Sequence, residues 1–219
     1  GKTIFVTGSP MREVLRDAAN GINESRVLET LGLSPRKYLL LSAHREENID
    51  NQENFFSLMN AVNRIAERYQ MPVIYSMHPR SKKYIVQRGF QFHPLVRSME
   101  PFGFFDYNQL QKNSFCVLSD SGTLSEESAI LGFPGVLLRT STERPEVLDK
   151  GTVVIGGIRG EDVERAITLA VSMSENGEET VMAEDYADTN VSVKVIKLIE
   201  SFTKIVNETV WLKRSEEAH

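Results

Sequence analysis

Five short runs of the chain, Thr3–Thr7, Tyr38–Ala43, Val73–Met77, Phe115–Ser119 and Gly135–Arg139, are dense in aliphatic residues and separated by stretches of helical spacing. Their near-continuous apolarity predicts strands buried on both faces. Strands alternating with helices predict an α/β fold: a doubly wound parallel sheet joined by right-handed crossovers. Between the second and third runs, Phe55, Met59, Val62, Ala66 and Tyr69 recur at spacings of three and four, with Leu58 and Ile65 widening the stripe, so one helix face packs on the sheet. Pro10 suits the first turn of a helix after Gly8-Ser9, and Asn20-Gly21 predicts a division of that region into two helices. A polar helix is expected over Asn108–Asn113. The carboxy-terminal third reads as a helix over Val163–Met173, a polar loop over Ser174–Glu179 and a longer helix from Val191 to about Lys213. No repeat, low-complexity tract or obvious linker divides the chain.

Composition narrows the partners. With 219 residues, 41% apolar and 25% charged, there is material for one large domain or two small ones around an ample core. A net charge of −5 argues against a nucleic-acid footprint, which needs a basic face. No apolar run approaches the roughly 20 residues that cross a bilayer, and no signal-peptide form opens the chain, so no membrane is expected and the compartment is the cytoplasm. The only cysteine, Cys116, sits in an apolar run and reads as a buried thiol; a disulfide or cysteine-based zinc site is excluded within one chain. The chain opens on Gly1-Lys2-Thr3-Ile4-Phe5-Val6, without methionine and already inside strand-like sequence, so it reads as a fragment whose natural start lies upstream.

Candidate chemistry concentrates where ligands bind in open α/β sheets, beyond the carboxyl ends of strands. Ser119-Asp120-Ser121-Gly122-Thr123-Leu124-Ser125-Glu126-Glu127 passes from an apolar run into a helical one through small polar residues. Backbone N–H groups at a helix start lack intrahelical partners and sit at the positive end of the dipole, so such a junction suits phosphate. Gly122 permits close approach, Ser121 and Thr123 add hydroxyls, and Glu127, one turn further, is within reach of a ribose; the plainer reading is an N-cap with a capping box. His44-Arg45-Glu46-Glu47-Asn48 follows the second run and His78-Pro79-Arg80 the third, putting imidazole and guanidinium groups at the same edge for phosphate or substrate contact, where a lone histidine is more often structural. A zinc site from His44, His78 and His93 lacks recognisable spacing, and no metal is expected. Thr142-Glu143-Arg144-Pro145-Glu146 reads as a substrate-facing loop or a capped turn, and Phe102-Gly103-Phe104-Phe105-Asp106-Tyr107 as core rings with one available to stack on a base. Walker, dinucleotide and nucleophile-elbow signatures are missing.

Taken in order, Gly8-Ser9-Pro10, His44-Arg45-Glu46-Glu47-Asn48, His78-Pro79, Asp120-Ser121-Gly122-Thr123 with Glu126-Glu127, and Arg139 with Thr142-Glu143-Arg144-Pro145-Glu146 and Gly151-Thr152-Val153 resemble the carboxy-terminal half of the non-hydrolysing UDP-N-acetylglucosamine 2-epimerases. The resemblance implies a Rossmann-like second domain of a glycosyltransferase-B type architecture: residues 1–190 as the UDP-binding domain and 191–219 as a helix packing towards an absent amino-terminal domain. It implies C2 inversion of a UDP-N-acetylamino sugar by elimination and re-addition of UDP, with no cofactor, in a homodimer when full length, for surface-polysaccharide precursors. By the same resemblance Ser121, Gly122 and Thr123 hold phosphate, Glu127 the ribose, Tyr107 stacks on uracil, and His44 faces the phosphate and reacting sugar as the catalytic residue; Arg45, His78 and Arg144 are further substrate or phosphate contacts. The acids acting at sugar C2 and C3 belong to the other half, so turnover by this chain alone is not expected.

Two departures bear on the sugar. Thr123 stands where the family commonly has a second glycine, and Gly8-Ser9-Pro10-Met11 replaces a frequent Gly-Asn-Thr/Pro form. Both are similar to the branch that converts UDP-2-acetamido-2,6-dideoxy-talose to UDP-N-acetyl-fucosamine, with UDP-N-acetylglucosamine/mannosamine epimerisation as the close runner-up. A UDP-sugar glycosyltransferase domain and a free-standing non-catalytic nucleotide-sugar-binding module are the alternatives.

Overall fold

The structure, a computed structural model, describes residues 4–139, 153–177 and 182–212, which fall into two compact units: 4–17 with 184–212, and the described residues between 18 and 183. The larger unit holds a six-stranded sheet of β1 (Leu39–Ser42), β2 (Val73–Ser76), β3 (Val96–Met99), β4 (Cys116–Ser119), β5 (Gly135–Leu137) and β6 (Val154–Ile155). All pairings are parallel and the order is β3-β2-β1-β4-β5-β6. That is the doubly wound Rossmann order, and its direction of winding reverses between β1 and β4.

Residues on alternate sides of each strand build two cores. Leu39, Leu41, Val73, Tyr75, Cys116 and Leu118 pack under α5 (Gln52–Tyr69) and α9 (Gly160–Glu175). Tyr38, Leu40, Ile74 and Val117 meet Val27 of α3 (Val27–Leu31), Leu110 of α7 (Phe104–Asn113) and Leu124 of α8 (Leu124–Leu131). The expected face of α5 is the buried one, with Tyr69 at its edge. The Asn51 side chain accepts from the Asn54 N–H to start this helix. Where β6 ends, Gly156 lies so close to the sheet that a Cβ there would sit 2.5 Å from Val136 Cγ1. Because Val136 is β-branched and buried, Gly156→Ala is expected to destabilise the chain by about 1–3 kcal/mol, read from the midpoint of urea unfolding.

Several expectations need correction. Residues 4–7 form no strand: Ile4 and Val6 are exposed, and Phe5 packs its ring 5.0 Å from Phe202 in the smaller unit. A strand needs a hydrogen-bonding neighbour, and this run has none among the described residues. Gly8-Ser9-Pro10 accordingly follows no strand; Gly8, at φ 84°, lies against Asp185 and Asp188, and the Ser9 N–H donates to the Asp185 carbonyl. The helix break falls at Ala18, between α1 (Met11–Asp17) and α2 (Ala19–Glu24), and not at Asn20-Gly21, because Gly21 fits inside α2 against the Phe105 ring. The run Ser174–Glu179 begins as helix, since α9 continues through Glu175. Strands β3 and β6 lie outside the five apolar runs. In the smaller unit, α10 (Glu184–Ala187) precedes α11 (Val191–Thr209), which ends short of Lys213. The Glu13 carboxylate accepts from the Ser192 N–H in the first turn of α11, where negative charge also meets the helix dipole.

Candidate nucleotide site at the switch point

The loops leaving β1 and β4 diverge around one carboxylate. Asp120, fully buried, directly follows β4, and its Oδ2 accepts the backbone N–H groups of His44 and Arg45, each at 2.9 Å, and the Asn48 amide at 3.2 Å. Arg45 Nε donates to the Asp120 carbonyl at 2.8 Å, and the Asn48 amide also donates to the Leu138 carbonyl at the end of β5. Thus α4 (Glu46–Ile49), which starts inside the His-Arg-Glu-Glu-Asn motif, is stapled to β4 and β5 together. The Ala43 carbonyl accepts the Tyr75 and Ser81 hydroxyls, fixing the end of β1 from the β2 side. His44 is half-exposed, with Nδ1 3.7 Å from Asp120 Oδ1 and its ring stacked 5.2 Å from that of His78. The carboxylate lies on the Nδ1 side, so Nε2 is the nitrogen left for a ligand.

His78 caps α6 (Pro79–Gln87): its Nδ1 accepts the Arg80 N–H, which places the ring proton on Nε2. Arg80 is engaged elsewhere. Its guanidinium grips Asp50 through two nitrogens and Glu46 through the third, holding the Asp50 carboxyl below its ordinary range. Arg45, by contrast, has no partner for its terminal nitrogens among the described residues. His93 precedes β3 at the opposite, amino edge of the sheet, where its N–H donates to Asn63, so the three histidines do not converge. Among the described residues no group of three acidic, histidine or cysteine side chains is placed to hold a metal.

Beyond Asp120, Ser121-Gly122-Thr123 turns into α8. The Ser121 N–H donates to Ser119 Oγ, and the Ser121 and Thr123 hydroxyls lie 3.0 Å apart. Thr123 makes no side-chain cap, and the Gly122 N–H has no partner among the described residues. The turn therefore presents two hydroxyls and a backbone donor at the positive end of α8, an arrangement suited to an oxyanion. One turn in, Glu127 bonds with Thr123 and accepts the Gln111 amide at 2.5 Å; burial raises its carboxyl above the usual range despite both bonds. Tyr107, half-buried in α7, shares a hydrogen bond with the Ser42 hydroxyl, and burial raises its phenol. Phe104 and Phe105 are exposed at the start of α7.

His44, Arg45, His78, Tyr107, Ser121, Gly122, Thr123 and Glu127 thus stand along one edge, linked through Asp120 and Ser42. Arg144 and its motif lie outside the described residues. Asp120, Asn48 and Gln111 carry no role in the sequence reading, and the one signal for Asp120 is its place immediately after the fully buried β4. Cys116 is buried in β4 with its thiol pushed up by burial, which makes it core.

A family model described as UDP-N-acetylglucosamine 2-epimerase matches residues 1–200. The UDP-N-acetylglucosamine 2-epimerase of Methanococcus maripaludis is 37% identical over 131 residues, covering 58% of this chain and 36% of that protein. The Bacillus subtilis protein of the same description is 29% identical, covering 89% of this chain and 51% of its own length. Among solved structures, the UDP-N-acetylglucosamine 2-epimerase from Rickettsia bellii superposes with a TM-score of 0.81 at 33% identity, over 94% of this chain and 56% of that one. The Methanocaldococcus jannaschii enzyme, solved with UDP-GlcNAc and UDP, gives 0.79 at 25% identity, over 90% of this chain and 55% of that one. The chain spans about half the length, or less, of the relatives it matches. Matched over most of its residues by the family model, the chain belongs to the UDP-N-acetylglucosamine 2-epimerase family.

Proposed function

We propose that this chain is the nucleotide-holding half of a UDP-N-acetylamino-sugar 2-epimerase. The observation that carries this reading is the juxtaposition, at the β1/β4 switch point, of the Ser121-Gly122-Thr123 turn with His44, held together by Asp120. The diphosphate occupies the turn and the Arg45 guanidinium, Glu127 accepts the ribose hydroxyls, and Tyr107 stacks on uracil. His44 donates through Nε2 to the oxygen that leaves C1, with His78 and Arg144 as further contacts in the cleft. Retaining UDP while the sugar is detached is then this chain's part, and the carboxylates that exchange the C2 and C3 protons come from the amino-terminal half. Val193, Val195, Ile196, Ile199 and Ile205 of α11 are exposed, which supports α11 as the helix that packs on that half. Thr123 and Gly8-Ser9-Pro10-Met11 favour the 6-deoxy-talose branch, a cytoplasmic step of surface-polysaccharide supply, by a homodimer when full length.

Calorimetry tests the reading directly. The chain is expected to bind UDP, and Glu127→Ala to weaken it by about 1.5–3 kcal/mol, the worth of a charge-assisted hydrogen bond. The raised Glu127 pKa keeps its proton to higher pH, so the stronger, ionised acceptor forms only as pH rises. The ratio of wild-type to Glu127→Gln affinity for UDP-N-acetylglucosamine, whose diphosphate does not titrate in that range, should therefore grow with pH. Equal affinities throughout would remove Glu127 from the ribose. NMR of this chain with UDP-sugars should show no epimerised product; turnover would overturn the assignment as one half of a site.

A further inference from the structure

Gln111 stands in the last turn of α7 with no exposed surface. Its Nε2 donates to Glu127 Oε2 at 2.5 Å, whereas its Oε1 is buried without a hydrogen-bond partner. The helix carrying it is immobilised on both sides. The Tyr38 hydroxyl donates to the Leu110 carbonyl, and the Ser114 hydroxyl and N–H both donate to the Gln111 carbonyl. A buried amide whose carbonyl oxygen is unmet costs stability that an apolar side chain of similar length would not. Among the described residues the amide's one side-chain partner is the Glu127 carboxylate.

That grip matters because glutamate has three side-chain torsions. Left alone, Glu127 would have to be ordered by each arriving ligand; held by Gln111 on one oxygen and by Thr123, it is ordered beforehand. We infer that Gln111 is a positioning residue that sets the Glu127 carboxylate towards the sugar hydroxyls of the nucleotide, making the site selective for a ribonucleotide over one lacking those hydroxyls. This rests on the ribose reading of Glu127. It predicts an unusual combination: loss of the amide costs selectivity while leaving the fold intact or firmer.

The test measures affinity for UDP and 2′,3′-dideoxy-UDP by calorimetry in the whole chain and in Gln111→Met, Gln111→Leu and Glu127→Ala, with melting temperatures. The parent should prefer UDP by roughly tenfold or more, and Gln111→Met should lose about that factor for UDP alone, leaving the dideoxy nucleotide unchanged and the melting temperature equal or higher. Gln111→Leu should behave alike. If Glu127→Ala keeps the preference for UDP, the ribose reading fails and the inference with it. If Glu127→Ala loses the preference but both Gln111 variants retain it, Gln111 does not position the carboxylate. Equal loss for both nucleotides, or failure of both Gln111 variants to fold, would make Gln111 a packing residue and overturn the inference.

Discussion

The Asp120→Ala chain is expected to unfold with about 3–5 kcal/mol less free energy than the parent, because removing a buried acceptor strands the donors it gathers. Three bonds are lost at once, those from the His44 and Arg45 N–H groups and from the Asn48 amide, all made to one oxygen of a fully buried carboxylate. For a chain of this size the melting temperature falls by on the order of 10 °C. Asp120→Asn should cost much less, since its amide oxygen can take the place of Oδ2. Differential scanning calorimetry separates the two; an Asp120→Ala chain that melts with the parent would show that the switch point is held by packing alone. The variant that folds should also bind UDP poorly, because the loop carrying His44 and Arg45 is no longer fixed to the turn that meets the phosphates.

The second large effect concerns His44 and the reaction proposed above. In the enzyme with both halves, His44→Ala should lower kcat by roughly 10²-fold or more while changing UDP affinity less. The reason is where charge develops. As the C1–O bond breaks, the departing diphosphate gains negative charge, and a donor aimed there stabilises the transition state more than the intact substrate. Asp120 lies on the Nδ1 side of the ring at 3.7 Å and leaves Nε2 free to face the departing oxygen. Single-turnover rates and UDP titrations on the same variant decide the matter. A parental rate in folded enzyme, with only an early melt, would make His44 a structural residue.

Which parts of this were readable in the sequence follows from where each residue gets its partners. Strands β1, β2, β4 and β5 announce themselves because both faces are buried, so Leu39–Leu41 or Cys116–Leu118 carry no polar alternation. Strand β3, at the sheet edge, exposes Arg97 and Ser98 and reads as loop; β6 is two residues long. Thr3–Thr7 has the composition of a central strand, yet its described residues find an aromatic contact in the smaller unit instead of a neighbouring strand. Composition records apolarity, and a strand is defined by its neighbour. The same distinction divides the candidate site. His44, Ser121 and Gly122 could be singled out because each follows a strand and brings a chemistry of its own. Asp120 and Gln111 act through residues remote in the chain: its place after β4 marks Asp120 as an acid at the sheet edge but not as one that gathers N–H groups from another loop, and nothing local marks an amide bonded to a carboxylate on the next helix.

The bond from the His44 N–H to Asp120 joins residues 76 positions apart, and the segment between them contains all of β2 and β3. The loop after β1 and the loop after β4 meet only once that long stretch has been enclosed, an entropically expensive closure that rewards the chain late. A nucleotide bound across both loops, as proposed above, would find no partial binding surface in earlier, partly paired forms. It would therefore slow opening of the finished sheet without hastening its formation, so that calorimetric affinity would be matched by kinetic protection.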